Sequence, residues 1–170
     1  MSDISIAFLI LVAANLTIKF WLNRRQAAQV KQHAAQVPAR FSAVITLEAH
    51  QKAAAYTRAK IRLSQISLVI DTAWLLLLTL GGGINLIYST ASTFVGSASP
   101  LLTGLVFLIS LGVLSGIVDL PVSIYRQFGL EARFGFNRMT PALFITDLLR
   151  NALVSLIIAL PLLALILWLL

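Results

Sequence analysis

The 170-residue chain is predicted to be an all-α, polytopic transmembrane helical protein with four spans and a long cytoplasmic helical extension of the second. Three observations predict this class. Hydrophobic residues make up 59% of the sequence and charged residues 11%, against roughly 25% charged in soluble globular domains. No charged side chain occurs in 72–118 or in 151–170. Twelve of the 13 Lys and Arg residues fall in two polar stretches, 23–65 and 120–150. A soluble fold of this size has no way to hide so much apolar surface and still keep a polar skin. The same composition excludes disorder. With no Cys in the chain, a disulfide framework, a thiolate metal site and a cysteine nucleophile are excluded as well. A net charge of +7 in a soluble protein would suggest nucleic acid; here its placement reads as topology, and no nucleic-acid partner is expected.

The first span is placed at about 4–22, close to the roughly 20 residues that cross a bilayer core. Met1, Ser2 and Asp3 supply no basic n-region, so it is not read as a signal peptide. Positive charge follows it, at Lys19, Arg24 and Arg25, which favours an N-terminus outside and the next loop inside. The inner loop, 23–65, has eight Lys/Arg and one acid, Glu48, with a break at Pro38. From Thr46 onward strong helix formers follow, and Glu48 and Lys52 are spaced i,i+4. One helix is therefore expected from about 46 to 80, carrying a second span at about 66–87. Gly81-Gly82-Gly83 reads as a loosened helix or a close backbone approach, since a phosphate loop would need a downstream Lys and a strand. The uncharged 88–100 segment is expected to be a short outer loop. The third span is placed at 101–120, and the inner loop 121–150 carries four Arg. The fourth span, 151–170, holds Pro161 near its middle and Trp168 for the far interface.

Few residues suggest chemistry. His33 and His50 lie 17 residues apart, without metal-ligand spacing, and the sequence contains no H-E-x-x-H. Asp71 sits one to two turns inside the second span, where an ionisable group needs a partner or a wet cavity. Two readings stay open for it: an interhelical or interfacial bond, or the wall of a water-filled chamber. The 120–141 stretch mixes aromatic, acidic, basic and Gly residues without simple amphipathy and reads as a structured loop. Gly135 and Asn137 there tolerate unusual backbone angles. Thr140-Pro141 looks like the N-cap and first position of a helix.

That loop reads L-P-x-S-x-Y-x-x-F-x-x-E-x-x-F-G-F-N-x-x-T, from Leu120 to Thr140. The pattern resembles the N-terminal membrane half of the CAAX prenyl protease type 1 family, integral-membrane zinc metalloendopeptidases. Val37-Pro38 and the run from Ile45 to Lys60 resemble that family's first cytoplasmic segment. The sequence departs from the family at Leu130-Glu131-Ala132, which holds one acid instead of two, and at Gly129, which replaces an expected β-branched residue.

The resemblance implies a membrane region that forms part of a helical barrel around a substrate chamber and supports a zinc peptidase half absent from these residues. No catalytic or metal-binding residue is expected in this chain. It implies that Asp71, Glu131, Arg133, Gly135, Phe136 and Asn137 face the chamber or the catalytic half; a loop held by its own hydrogen bonds is the other reading of the last five. Zinc is expected in the intact enzyme only, and these 170 residues alone should be inactive. The partners implied are the lipid bilayer, the downstream catalytic half of the same polypeptide, and a peptide or prenylated-peptide substrate. An inner-membrane location in a bacterium is favoured over endoplasmic reticulum. The alternative is a stand-alone small membrane protein acting as transporter subunit or assembly scaffold.

Overall fold

The computed structural model describes residues 2–96 and 99–169. Ser97, Ala98 and Leu170, parts of the expected outer loop and fourth span, lie outside the described residues. The described chain is helical: α1 (Asp3–His33), α2 (Leu47–Thr79), α3 (Gly83–Val95), α4 (Pro100–Ile124), a π-helical segment (Tyr125–Glu131), the short turn α5 (Ala132–Phe134) and α6 (Pro141–Leu169). Four helical stretches are long and apolar enough to cross a membrane: Asp3–His33, Leu47–Thr79, Pro100–Phe134 and Pro141–Leu169.

Local chemistry sets most boundaries. Ser2 caps α1, its hydroxyl accepting from the Ser5 amide at 3.3 Å. Asp3 in the first turn and Lys31 and His33 in the last oppose the ends of the helix dipole. The helix continues well past Leu22 because the following residues are Arg, Gln, Ala and Lys, all good helix formers, until Pro38 intervenes. Thr46 caps α2, accepting from the Ala49 amide at 3.2 Å. Gly82, at φ 75°, turns the chain at the far end; an L side chain in the left-handed region costs roughly 1–2 kcal/mol. Thr140 accepts from the Leu143 amide at 3.2 Å and Pro141 opens α6, as the sequence predicts.

At two places the described chain is helical where the sequence reads as loop. The outer loop expected at 88–100 is helical through Val95, as α3. Its hydroxyl residues bond back along the helix: Thr90 to the Leu86 carbonyl at 2.8 Å and Thr93 to Ser89 at 2.8 Å. This satisfies side chains that otherwise favour turns. The loop expected from Pro121 is also mostly helical, since α4 runs through Pro121 and into the π-helical segment.

The chain divides into two compact units. One comprises residues up to Ala73 together with Val122–Asn137. Its buried apolar side chains are Ala54, Ile61, Leu63, Val122 and Leu130. The other comprises Trp74–Pro121 and the chain from Arg138 onward. There the Trp74 indole N–H donates to the Ser115 hydroxyl at 3.0 Å, and Tyr88 meets Phe107 edge-on at 5.8 Å. Gly104 lets α4 and α6 approach: a Cβ there would meet Leu167 at 3.0 Å. Neither α1 nor α6 has a buried residue. Phe94 is 83% and Trp168 74% exposed. Exposed apolar surface on this scale is what lipid, rather than water, tolerates.

Candidate functional site

The N-terminal half of α2 supplies one side of the site. Lys52 and Tyr56 are spaced i,i+4 and so share a face of the helix. The other side comes from the π-helical segment and the turn after it. A π turn admits one extra residue per turn and needs space for it. Gly129 provides that space, because a Cβ there would meet the Tyr125 ring at 2.9 Å. The Gly that replaces an expected β-branched residue is thereby explained: the aromatic ring of Tyr125 occupies the volume. Leu130, next in the segment, is 5% exposed and anchors it.

The turn then closes on Glu131. Its carbonyl accepts from the Phe136 amide at 2.9 Å and the Asn137 amide at 3.2 Å. Gly135, at φ 79°, makes this reversal in the left-handed region. Asn137 adopts no such angle, since no non-Gly residue among those described has positive φ. Asn137 contributes through its side chain instead, accepting from the Gln127 amide nitrogen at 2.7 Å.

Tyr56 joins the two sides. Its hydroxyl donates to Glu131 Oε1 at 2.6 Å. Its ring meets Phe134 at 5.3 Å and Phe136 at 5.0 Å, both edge-on, the geometry aromatic quadrupoles favour. The Lys52 ammonium stands 5.9 Å from the Phe136 ring centre, and the Arg133 guanidinium 5.9 Å from that of Phe134. The hydrogen bond to Glu131 pushes the Tyr56 hydroxyl above its ordinary pKa, with burial and the Glu131 charge adding and Arg126 opposing. The arrangement is a clasp. It fixes a carboxylate and two aromatic rings.

Of the residues singled out from the sequence, Glu131, Gly135, Phe136 and Asn137 are brought together in the clasp, and Arg133 lies against its Phe134. Asp71 is elsewhere, its Oδ2 accepting from Ser67 at 3.4 Å beside a cavity of about 290 Å³. Sequence reasoning missed Tyr56, Lys52, Phe134 and Gln127. The first two lie inside the Ile45 to Lys60 run, and an aromatic four residues after a Lys on a basic helix was the available signal. His50 reaches the His33 carbonyl with Nε2 at 2.9 Å, and the His33 ring bonds Gln29 within α1. Among the described residues no group of three His, Cys, Asp or Glu side chains is placed to hold a metal ion. The residues present therefore do not fit a zinc site, and no metal-dependent step is derived for them.

A family model described as CAAX prenyl protease N-terminal, five membrane helices, matches residues 26–170. The chain belongs to the CAAX prenyl protease family. Within that family, the CAAX prenyl protease 1 homolog of Dictyostelium discoideum is 30% identical over 156 residues, covering 86% of this chain and 35% of the relative. CAAX prenyl protease 1 of Saccharomyces cerevisiae is 43% identical over 65 residues, covering 38% of this chain and 14% of the relative. The crystal structure of S. mikatae Ste24p superposes with a TM-score of 0.88 at 28% identity, covering 97% of this chain and 39% of that one. The chain thus spans about a third, or less, of the curated relatives it matches. The family description counts five membrane helices. Besides the four long stretches, α3 is also apolar, but its 13 residues rise only about 20 Å, short of the roughly 30 Å core. The relatives are eukaryotic, including Mus musculus and Arabidopsis thaliana. The expectation of a bacterial membrane is withdrawn on that ground.

Proposed function

We propose that this chain is the N-terminal membrane region of a CAAX-type zinc metalloendopeptidase, forming part of the wall of a substrate chamber. The observation that carries this reading is the clasp. It is built from the two segments that bear the family's sequence likeness: 45–60 supplies Tyr56 and Lys52, and 120–140 supplies Glu131, Phe134 and Phe136. Residues kept together by a 75-residue hydrogen bond form a rigid support on which a catalytic half can seat. Zinc, in this reading, is bound by residues beyond these 170, and Glu131 and Phe136 shape the approach of a prenylated or unmodified peptide. Asp71 is accommodated because its cavity is polar. The coding sequence is the decisive test. The reading frame past Leu170 is expected to encode a further span and then H-E-x-x-H, and the whole polypeptide to cleave a prenylated CAAX peptide in a chelator-sensitive way. A stop codon directly after Leu170 would defeat the proposal.

The distribution of Lys and Arg supports a cytoplasmic side for the basic loops and an outside N-terminus. The chain has no Cys, so single-cysteine variants report cleanly. Arg24→Cys and Arg138→Cys are expected to react with an impermeant maleimide only from the inner side, and Ser92→Cys only from the outer. Labelling of positions 24 and 138 from opposite sides would break the topology.

A further inference from the structure

A second polar feature shares only Arg126 with the surroundings of the clasp. Lys19 and Asn23 of α1, Ser64, Ser67 and Asp71 of α2, and Arg126 of the π-helical segment line the cavity of about 290 Å³. Two cations and one carboxylate leave one net positive charge. Asp71 is engaged by Ser67, while Lys19, Ser64 and Arg126 are exposed. The cavity also has a defined depth. The apolar run of α1 ends near Leu22 and that of α2 begins near Ile66, so its walls stand where hydrocarbon gives way to water. That is the level at which phospholipid phosphodiesters lie.

We propose that this cavity binds the phosphodiester headgroup of an anionic phospholipid, with Lys19 and Arg126 as its cationic contacts and Asn23 and Ser64 as hydrogen-bond donors. One negative charge matches the one uncompensated positive charge. A guanidinium fork and an ammonium are the donors that suit phosphate oxygens. The depth of the cavity, at the edge of the apolar runs of α1 and α2, favours a lipid over free phosphate as the source of the anion. The proposal does not rest on the peptidase reading, and its failure would leave that reading intact.

Native mass spectrometry of the full chain, delipidated in a neutral detergent, tests it. Phosphatidylglycerol is expected to be retained more strongly than phosphatidylcholine. The double variant Lys19→Gln, Arg126→Gln is expected to weaken that retention about tenfold or more. A control double variant, Arg24→Gln, Lys31→Gln, removes the same charge from α1 outside the cavity and is expected to bind as the parent does. Asp71→Asn is expected to strengthen binding, a gain that misfolding does not produce. Equal losses in the two double variants, or no preference for the anionic lipid, would overturn the proposal. So would inorganic phosphate displacing the lipid at equal concentration, which would make the cavity a free-phosphate site.

Discussion

Leu130→Ala is expected to destabilise the inner clasp by about 2–5 kcal/mol, the range for truncating a buried Leu. Leu130 is 5% exposed and sits in the segment that carries Glu131. It lies past the charge-free run that ends at Val118, among Arg126, Glu131 and Arg133, so its burial is expected to draw on the hydrophobic effect. Truncation leaves a void beneath a π-helical turn, and such a turn has poor means of collapsing to fill it. Thermal unfolding of the purified chain in detergent, followed by far-UV circular dichroism, should show the midpoint fall while the membrane spans keep their helicity. An unchanged midpoint would mean that Leu130 does not anchor the segment. Leu114→Ala, at an exposed position in α4, serves as the comparison and is expected to change little.

Breaking the Tyr56–Glu131 hydrogen bond is expected to cost about 1.5–3 kcal/mol, the range for bonds to a charged acceptor. Tyr56→Phe keeps both ring contacts and removes only the donor. Glu131→Gln keeps the shape and removes the charge. A double-mutant cycle through these variants isolates the pair, and a coupling energy near zero would show that the 2.6 Å contact contributes nothing. The pH dependence follows from the sign of the shift. The Tyr56 pKa is raised above its ordinary value of 10.0, and the neutral hydroxyl is the donor. Its contribution is therefore complete below the ordinary tyrosine range and is lost as pH rises through the raised value. Between neutrality and mild alkali the Tyr56 hydroxyl should remain un-ionised. Under the proposed peptidase reading, Tyr56→Phe in the whole polypeptide should lower peptide cleavage by loosening the support rather than by removing a reacting group.

What the sequence made legible was local. The length of α2, the Thr140-Pro141 cap and the left-handed Gly135 each follow from neighbouring residues, because helix propensity, capping and positive φ act within a few positions. The fourfold count of long apolar stretches follows from the charge-free runs. What stayed hidden needed either distance or competition. Tyr56 and Glu131 are 75 positions apart, and no local rule pairs them. The 88–95 stretch reads as a turn by its Ser and Thr content, yet hydroxyls that bond back to the preceding turn let it stay helical. The helix through Pro121 was hidden for a similar reason: Pro usually marks a boundary, yet α4 runs through it to Ile124.

No residue of α1 or α6 is fully buried in this part of the molecule. Each satisfies its own backbone, so each is a complete object once it lies in hydrocarbon. Manufacture can then be separated from assembly: the insertion machinery can deliver these rods one at a time, and their docking can wait until suitable neighbours have been synthesised. Along such a rod, selection acts on oiliness and length, and Leu, Ile and Val become nearly interchangeable letters.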